Sequence, residues 1–221
     1  MGAKISGQGS PMLTIEGVDE LHGATHDVIP DRIEAGTYVL GGALAGAQVR
    51  VADCRPAHLG ALLDRMEEAR VPFETGEDWI EVQAYDVADS PPRSTDVTTH
   101  AYPGFPTDLQ AQWMALMTKA DGLSIITERI FSDRWMHVPE LERLGANVRR
   151  QNTAVVVRGV AELSGAPVTA SDLRASAALV MAGLVARGTT EVHRVYHIDR
   201  GYERIEDRLA SIGAAIRRVS E

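Results

Sequence analysis

TDLQAQWMALMTKADGLSIITERIFSDRWMHVPELERLGANVRRQNTAVVV, residues 107–157, reads as helix, turn, strand, helix and hairpin in succession. It opens with a helix rich in apolar and small residues, and Gly122 marks the turn that follows. LSIITE is β-branched and strand-like, VPELERLGA has helical apolar spacing, and GANVRRQNTAVVVRGV closes as a hairpin. Two other stretches lie over it: RIEAGTYVLGGALAGAQVRVADCRPAHLGALLDRMEEARVPFETGEDWIEV (32–82) and SDLRASAALVMAGLVARGTTEVHRVYHIDRGYERIEDRLASIGAAIRRVSE (171–221). Gly46 and Gly188 fall where Gly122 does, and QVRVAD and TEVHRVY follow them as strands. A second amphipathic helix comes next, on Leu59, Leu62, Leu63 and Met66, or on Ile205, Leu209 and Ile212. Any α/β chain alternates helix, glycine and strand; matching endings in three places identify a repeat.

Outward from the repeats, GAKISGQGSPMLTIEGV (residues 2–18) compares with the closing hairpin GANVRRQNTAVVVRGV, and Gly7-Gln8-Gly9 falls at its tip, not in a phosphate loop. A closing hairpin without an opening helix implies a chain that starts in mid-unit, as the back part of a longer protein. The expected organisation is therefore a hairpin and crossover over residues 1–30, the crossing itself being 19–31, and one full domain over residues 31–221. DVADSPPRST (86–95) reads as a surface loop within that domain.

The totals bound the function. A length of 221 residues, 44% hydrophobic and 24% charged, suits a soluble protein with a substantial core. A formal charge of −9 argues against a nucleic-acid partner, and no apolar run approaches membrane-spanning length. The single cysteine, Cys54, precludes an intrachain disulfide, and MGAKISGQGS lacks a signal-peptide layout; a reducing cytoplasm is the expected location. Lys4 and Lys119 are the only lysines. The arginine bias reflects either base composition or guanidinium forks that grip carboxylate and phosphate oxygens.

YPGFPTDLQAQ, residues 102–112, poses the functional question. Pro103 and Pro106 stiffen the approach to a helix start, where Thr107 or Asp108 reads as a cap. A cap alone needs no such rigid lead-in, so Asp108 is either a cap or a carboxylate aimed at a ligand. Arg174, in the first turn of its helix, opposes the helix dipole and so calls for an anion, whereas Asp172 before it reads as the cap. Arg200 could pair with Glu203 or Glu206 at the surface. The seven histidines form no metal-ligand spacing; His137 and His197 read as packing residues, and no metal or cofactor is expected.

YPGFPTDLQAQ, RWMHVPELERLGA, DLRASAALVMAGLVARGTT and YHIDRGYERIEDRLASIGA, in this order and with GAKI, VIPDRIEAGT and GEDWIEV, resemble the UDP-N-acetylglucosamine 1-carboxyvinyltransferases across essentially the whole chain. The related shikimate-pathway transferase is disfavoured by FPTDLQAQ. The resemblance implies an inverted α/β barrel of the enolpyruvyl transferase type, helices inside and sheets outside, built from three βαβαββ repeats. It implies transfer of the enolpyruvyl group of phosphoenolpyruvate to the 3-hydroxyl of UDP-N-acetylglucosamine in peptidoglycan synthesis, by addition and elimination through a tetrahedral ketal. On this resemblance Asp108 is the general base at the sugar hydroxyl, and Arg200 reaches phosphoenolpyruvate on closure. Arg134 orients a substrate carboxylate or the closing interface, and Ile130 (through its backbone) and Phe131 line the sugar-nucleotide site; Arg174, whose helix position calls for an anion, is read as substrate-binding, with Asp172 in support. Ser132, Asp133 and Trp135 depart from the family's usual Glu-Asn-Arg-Phe setting around Arg134. The family's reactive cysteine loop and N-terminal lysine and asparagine have no counterpart here, since Cys54 and Lys4 stand in other contexts. The expected partner is the missing N-terminal domain, and the chain alone is expected to be inactive. The alternative is a non-catalytic sugar-nucleotide-binding module, or a partner half from a split gene.

Overall fold

The computed structural model describes residues 1–219 and divides the chain into two compact units, Met1–Pro30 and Asp31 onward. The first unit holds one antiparallel hairpin, β1 (Lys4–Ser6) and β2 (Thr14–Glu16), with Ile5 opposite Ile15. Ser10 N donates to Gly7 O at 3.0 Å and turns the tip. Ile5, Leu13 and Ile15 are exposed. Two strands alone bury too little to be stable in water.

The second unit follows the repeat. Its first copy is α1 (Arg32–Ala45), β3 (Val49–Val51), α2 (Gly60–Glu68), β4 (Phe73–Thr75) and β5 (Ile80–Val82). The second is β6 (Val97–Thr98), α3 (Gln110–Met117), β7 (Leu123–Thr127), α4 (His137–Arg143), β8 (Asn147–Gln151) and β9 (Ala154–Arg158). The third is β10 (Pro167–Thr169), α5 (Leu173–Val185), β11 (Glu191–His193) and α6 (Ile205–Ser211).

α1, α3 and α5 pack against one another at the centre, and every residue of α3 is buried. That is why these helices are apolar on all sides: each faces two other helices and a sheet. The sheets, ordered β3-β5-β4, β6-β7-β9-β8 and β10-β11, are separate blades. In the largest, β6 runs parallel to β7, while β9 pairs antiparallel with both β7 and β8. Along β7 the alternation puts Ser124 and Ile126 inward and Leu123 and Ile125 outward.

The three turn glycines all have left-handed backbone, φ 63° at Gly46, 108° at Gly122 and 95° at Gly188. One expectation is corrected. TEVHRVY is strand only as far as His193, because Arg194 takes φ 60° and turns the chain into a 3-10 helix, Val195–Arg200. β11 pairs with β10 alone among the described residues, so no second strand holds the chain extended beyond it. Residues 212–219, compared above with the closing hairpin, contain no strand.

Candidate functional site

Asp108 sits in a 3-10 turn, Thr107–Leu109, directly ahead of α3. Neither Asp108 nor Thr107 makes a capping bond; Pro106, in extended backbone, holds the cap position without one. The capping expectation is thus corrected. The reason is that both side chains have stronger partners elsewhere. Asp108 Oδ1 lies 2.8 Å from Arg134 Nη1 and 3.5 Å from Arg174 Nε. Two guanidinium charges this close attract the carboxylate more strongly than the neutral amides of a helix start. The Asp108 side chain stays 36% exposed, so one flank of its carboxylate is open to a ligand.

Each arginine is held separately. Arg134 donates from Nη1 to Thr107 Oγ1 at 3.0 Å and stands over the Phe131 ring, 5.3 Å from its centroid. Arg174 is nearly buried, and its Nη1 has no hydrogen-bond partner. A cation in the first turn of a helix with an unpaired buried N–H group is costly for stability. Asp172 caps α5 through Arg174 N (2.7 Å) and Ala175 N (2.9 Å), as the sequence suggested. It thereby fixes the backbone that carries Arg174.

Ile130 and Phe131 are exposed, but their amides point inward, donating to Glu128 Oε1 at 2.7 and 3.0 Å. Any backbone contact from Ile130 to a ligand therefore falls to its carbonyl. Glu128 also accepts from Thr99 Oγ1 (2.6 Å) and Thr107 Oγ1 (2.8 Å). The sequence reading passed over Glu128. The signal was available: the alternation in LSIITE puts Glu128 on the inward face with Ser124 and Ile126.

Arg200 ends the 3-10 helix and is exposed. It has no ion-pair partner among the described residues. Glu203 pairs with Arg208 (3.2 Å) and Glu206 with Arg218 (2.9 Å), so the surface pairings weighed for Arg200 do not form. Its backbone is nonetheless set against the start of α5. A Cβ at Gly201 would stand 2.9 Å from Leu173 Cδ2, so a larger residue there would push the Leu173 side chain aside. Tyr202, buried, has its hydroxyl 2.8 Å from Thr37 Oγ1, which also accepts from Gln112 Nε2 at 2.9 Å. Burial pushes the Tyr202 phenol up, and the neighbouring Arg174 charge works against that rise. Asp108, Arg134 and Arg174 are thus brought together, whereas no contact joins the exposed Arg200 side chain to them among the described residues.

The remaining titratable candidates are structural. His137 is buried, and burial drives its imidazole down to about 4. Cys54 is buried, which raises its thiol. Among the described residues no group of His, Cys, Asp and Glu could hold a metal. Among those residues no helix is long and apolar enough to cross a membrane.

A sequence profile of EPSP synthase (3-phosphoshikimate 1-carboxyvinyltransferase) matches residues 1–209. The chain belongs to this family. Family members named UDP-N-acetylglucosamine 1-carboxyvinyltransferase are similar over nearly the whole chain: 52% identical in Koribacter versatilis, 56% in an Anaeromyxobacter species and 50% in Coxiella burnetii. The chain spans about half the length of these curated relatives, 50%, 51% and 50% respectively. The enolpyruvyl transferase NikO from Streptomyces tendae superimposes with a TM-score of 0.85 at 29% identity, over 98% of this chain and 51% of that one. An EPSP synthase from Acinetobacter baumannii shares the fold, with a TM-score of 0.69 at 16% identity over 99% of this chain and 53% of its own. The fold is therefore the inverted α/β barrel of the enolpyruvyl transferases.

Proposed function

We propose that the chain is the C-terminal part of a UDP-N-acetylglucosamine 1-carboxyvinyltransferase. It would supply one wall of a cleft in which phosphoenolpyruvate donates its enolpyruvyl group to the 3-hydroxyl of the sugar. Residues 1–30 are then the closing hairpin and crossover of the preceding domain, and residues 31–221 the second domain. The pathway is peptidoglycan synthesis in the cytoplasm. The observation that carries this reading is Asp108 held by Arg134 and Arg174 with one flank open.

The chemistry follows from those groups. Protonation of the phosphoenolpyruvate methylene makes C2 electrophilic. The sugar hydroxyl oxygen bonds to C2 while Asp108 takes its proton, giving a tetrahedral ketal. Loss of phosphate and of a methyl proton then restores the enol ether. Arg174, with its unpaired Nη1, and Arg200, with its free guanidinium, would bind the carboxylate and phosphate of the donor. Ile130 and Phe131 would face the sugar nucleotide. Bringing Arg200 onto the donor requires closure against the other domain, which also expels water.

The test is a chimera in which this chain replaces the matching half of the Koribacter versatilis relative. Phosphate release that depends on UDP-N-acetylglucosamine is expected from the chimera and none from the chain alone. A folded chimera that binds the sugar nucleotide without turnover would instead establish a binding module.

A further inference from the structure

Glu128 is a carboxylate only 1% exposed, held by four neutral donors. Oε1 accepts from Thr99 Oγ1 and the amides of Ile130 and Phe131, and Oε2 accepts from Thr107 Oγ1. A buried charge is tolerated only when its lone pairs are filled in this way. The hydroxyls relay the bonds further. Thr99 Oγ1 accepts from Arg129 N at 2.8 Å, and Thr107 Oγ1 accepts from Arg134 Nη1 at 3.0 Å. Arg134 then holds Asp108. From the other side, Glu128 N donates to Thr153 O at 2.9 Å, tying the residue to the β8–β9 turn.

We propose that Glu128 is a positioning residue, whose carboxylate locks the Ile130–Phe131 turn and, through the Thr107 hydroxyl and Arg134, aims Asp108. The proposal rests on the transferase reading of the Asp108 site. Its consequence is that the sugar-nucleotide turn and the base share one rigid frame, so a sugar nucleotide seated on that turn meets a carboxylate already in register. Glutamine cannot replace this carboxylate. It has the size, but its amide nitrogen would stand where Oε2 now accepts, and the Thr107 hydroxyl proton would lose its acceptor.

The experiment uses the 221-residue chain, labelled with ¹⁵N, in wild-type, E128Q, T107V and double-variant forms. Three resonances are followed: the Ile130 and Phe131 amides and the Arg134 side-chain Nε–H. E128Q is expected to move all three, since the acceptor loses its charge. T107V is expected to move Arg134 and leave the two amides in place, because it cuts the relay beyond Glu128. Titration with UDP-N-acetylglucosamine should weaken about fivefold in each single variant, the effect of one lost hydrogen bond. The double variant should be no weaker than the worse single, since both act on one chain of bonds. Singles whose effects multiply, or a T107V variant with an unmoved Arg134 signal and unchanged affinity, would overturn the proposal. Should the wild-type chain alone, as one wall of the cleft, bind no UDP-N-acetylglucosamine, the sugar-nucleotide reading is left to the chimera. The role of Glu128 in ordering the site is then decided by the three resonances alone.

Discussion

The Asp108 corner and the Arg200 corner lie on adjacent copies of one repeat and are built in opposite ways. Around Asp108 the polar side chains are tied in series, from Glu128 through Thr107 and Arg134 to the carboxylate. Around Arg200 the neighbours are tied, Asp199 to Arg218 and the Tyr202 hydroxyl to Thr37, while the Arg200 guanidinium itself has no ion-pair partner among the described residues. The segment is bracketed by Arg194 (φ 60°) and Arg204 (φ 46°), both non-glycine residues in left-handed backbone. A base must stand within hydrogen-bond reach of its proton at every turnover, which rewards a fixed pose. A residue that closes onto a ligand from across a cleft needs an anchored base and a free end.

The largest effect that would break this comparison is at the base. In the chimera, Asp108→Asn should lower turnover by about 10²–10⁴-fold, the usual worth of a general base. Phosphate release at saturating substrates measures it, and near-normal turnover would remove Asp108 from the chemistry. Next, Arg200→Ala should cost about 10²-fold in turnover or donor affinity, with an unchanged melting temperature because the side chain is exposed and unpaired. A fall in melting temperature would show that Arg200 is a structural ion-pair residue after all.

A third effect concerns pH. The folded-state value of His137 is about 4, against 6.5 for the free side chain. The unfolded chain therefore binds the extra proton first, and stability falls as pH drops from about 6.5 towards 4. The full loss is on the order of 3 kcal/mol. Denaturant melts of wild type and His137→Gln should differ in this slope, and an identical slope would place the acid sensitivity elsewhere.

The smallest effect belongs to Arg218, which holds Asp199, the neighbour of Arg200, through two bonds of 2.9 and 2.6 Å. The Arg218 bonds also hold the Asp199 carboxyl below its ordinary range. Both side chains are more than a third exposed, so Arg218→Ala should cost under about 1 kcal/mol and less at high salt. Hydrogen exchange should nevertheless quicken over residues 195–203 and not over the Asp108 turn. Faster exchange at both corners would mean that they move as one body.

Much of this was legible beforehand. The repeat was, because helix and strand periods are local properties of the chain, and the glycine turns were, because left-handed backbone favours glycine. Asp108 stood out by its proline lead-in, and Asp172 by its cap position. Reading Thr107 or Asp108 as a cap went wrong because the competing partners, Arg134 and Glu128, lie far along the chain. The end of β11 at His193 was hidden for a similar reason: a strand persists only where a neighbour pairs with it.

By itself, then, the order of residues determined the repeated unit, the buried central helices and the family, since each rests on short-range pattern. Tertiary structure alone decided that Asp108 meets Arg134 and Arg174, that Glu128 is linked through Thr107 and Arg134 to Asp108, and that Arg200 has no ion-pair partner among the described residues. Those facts depend on which side chains from distant segments come within a few ångströms, and ion pairs and hydrogen bonds act only at that range.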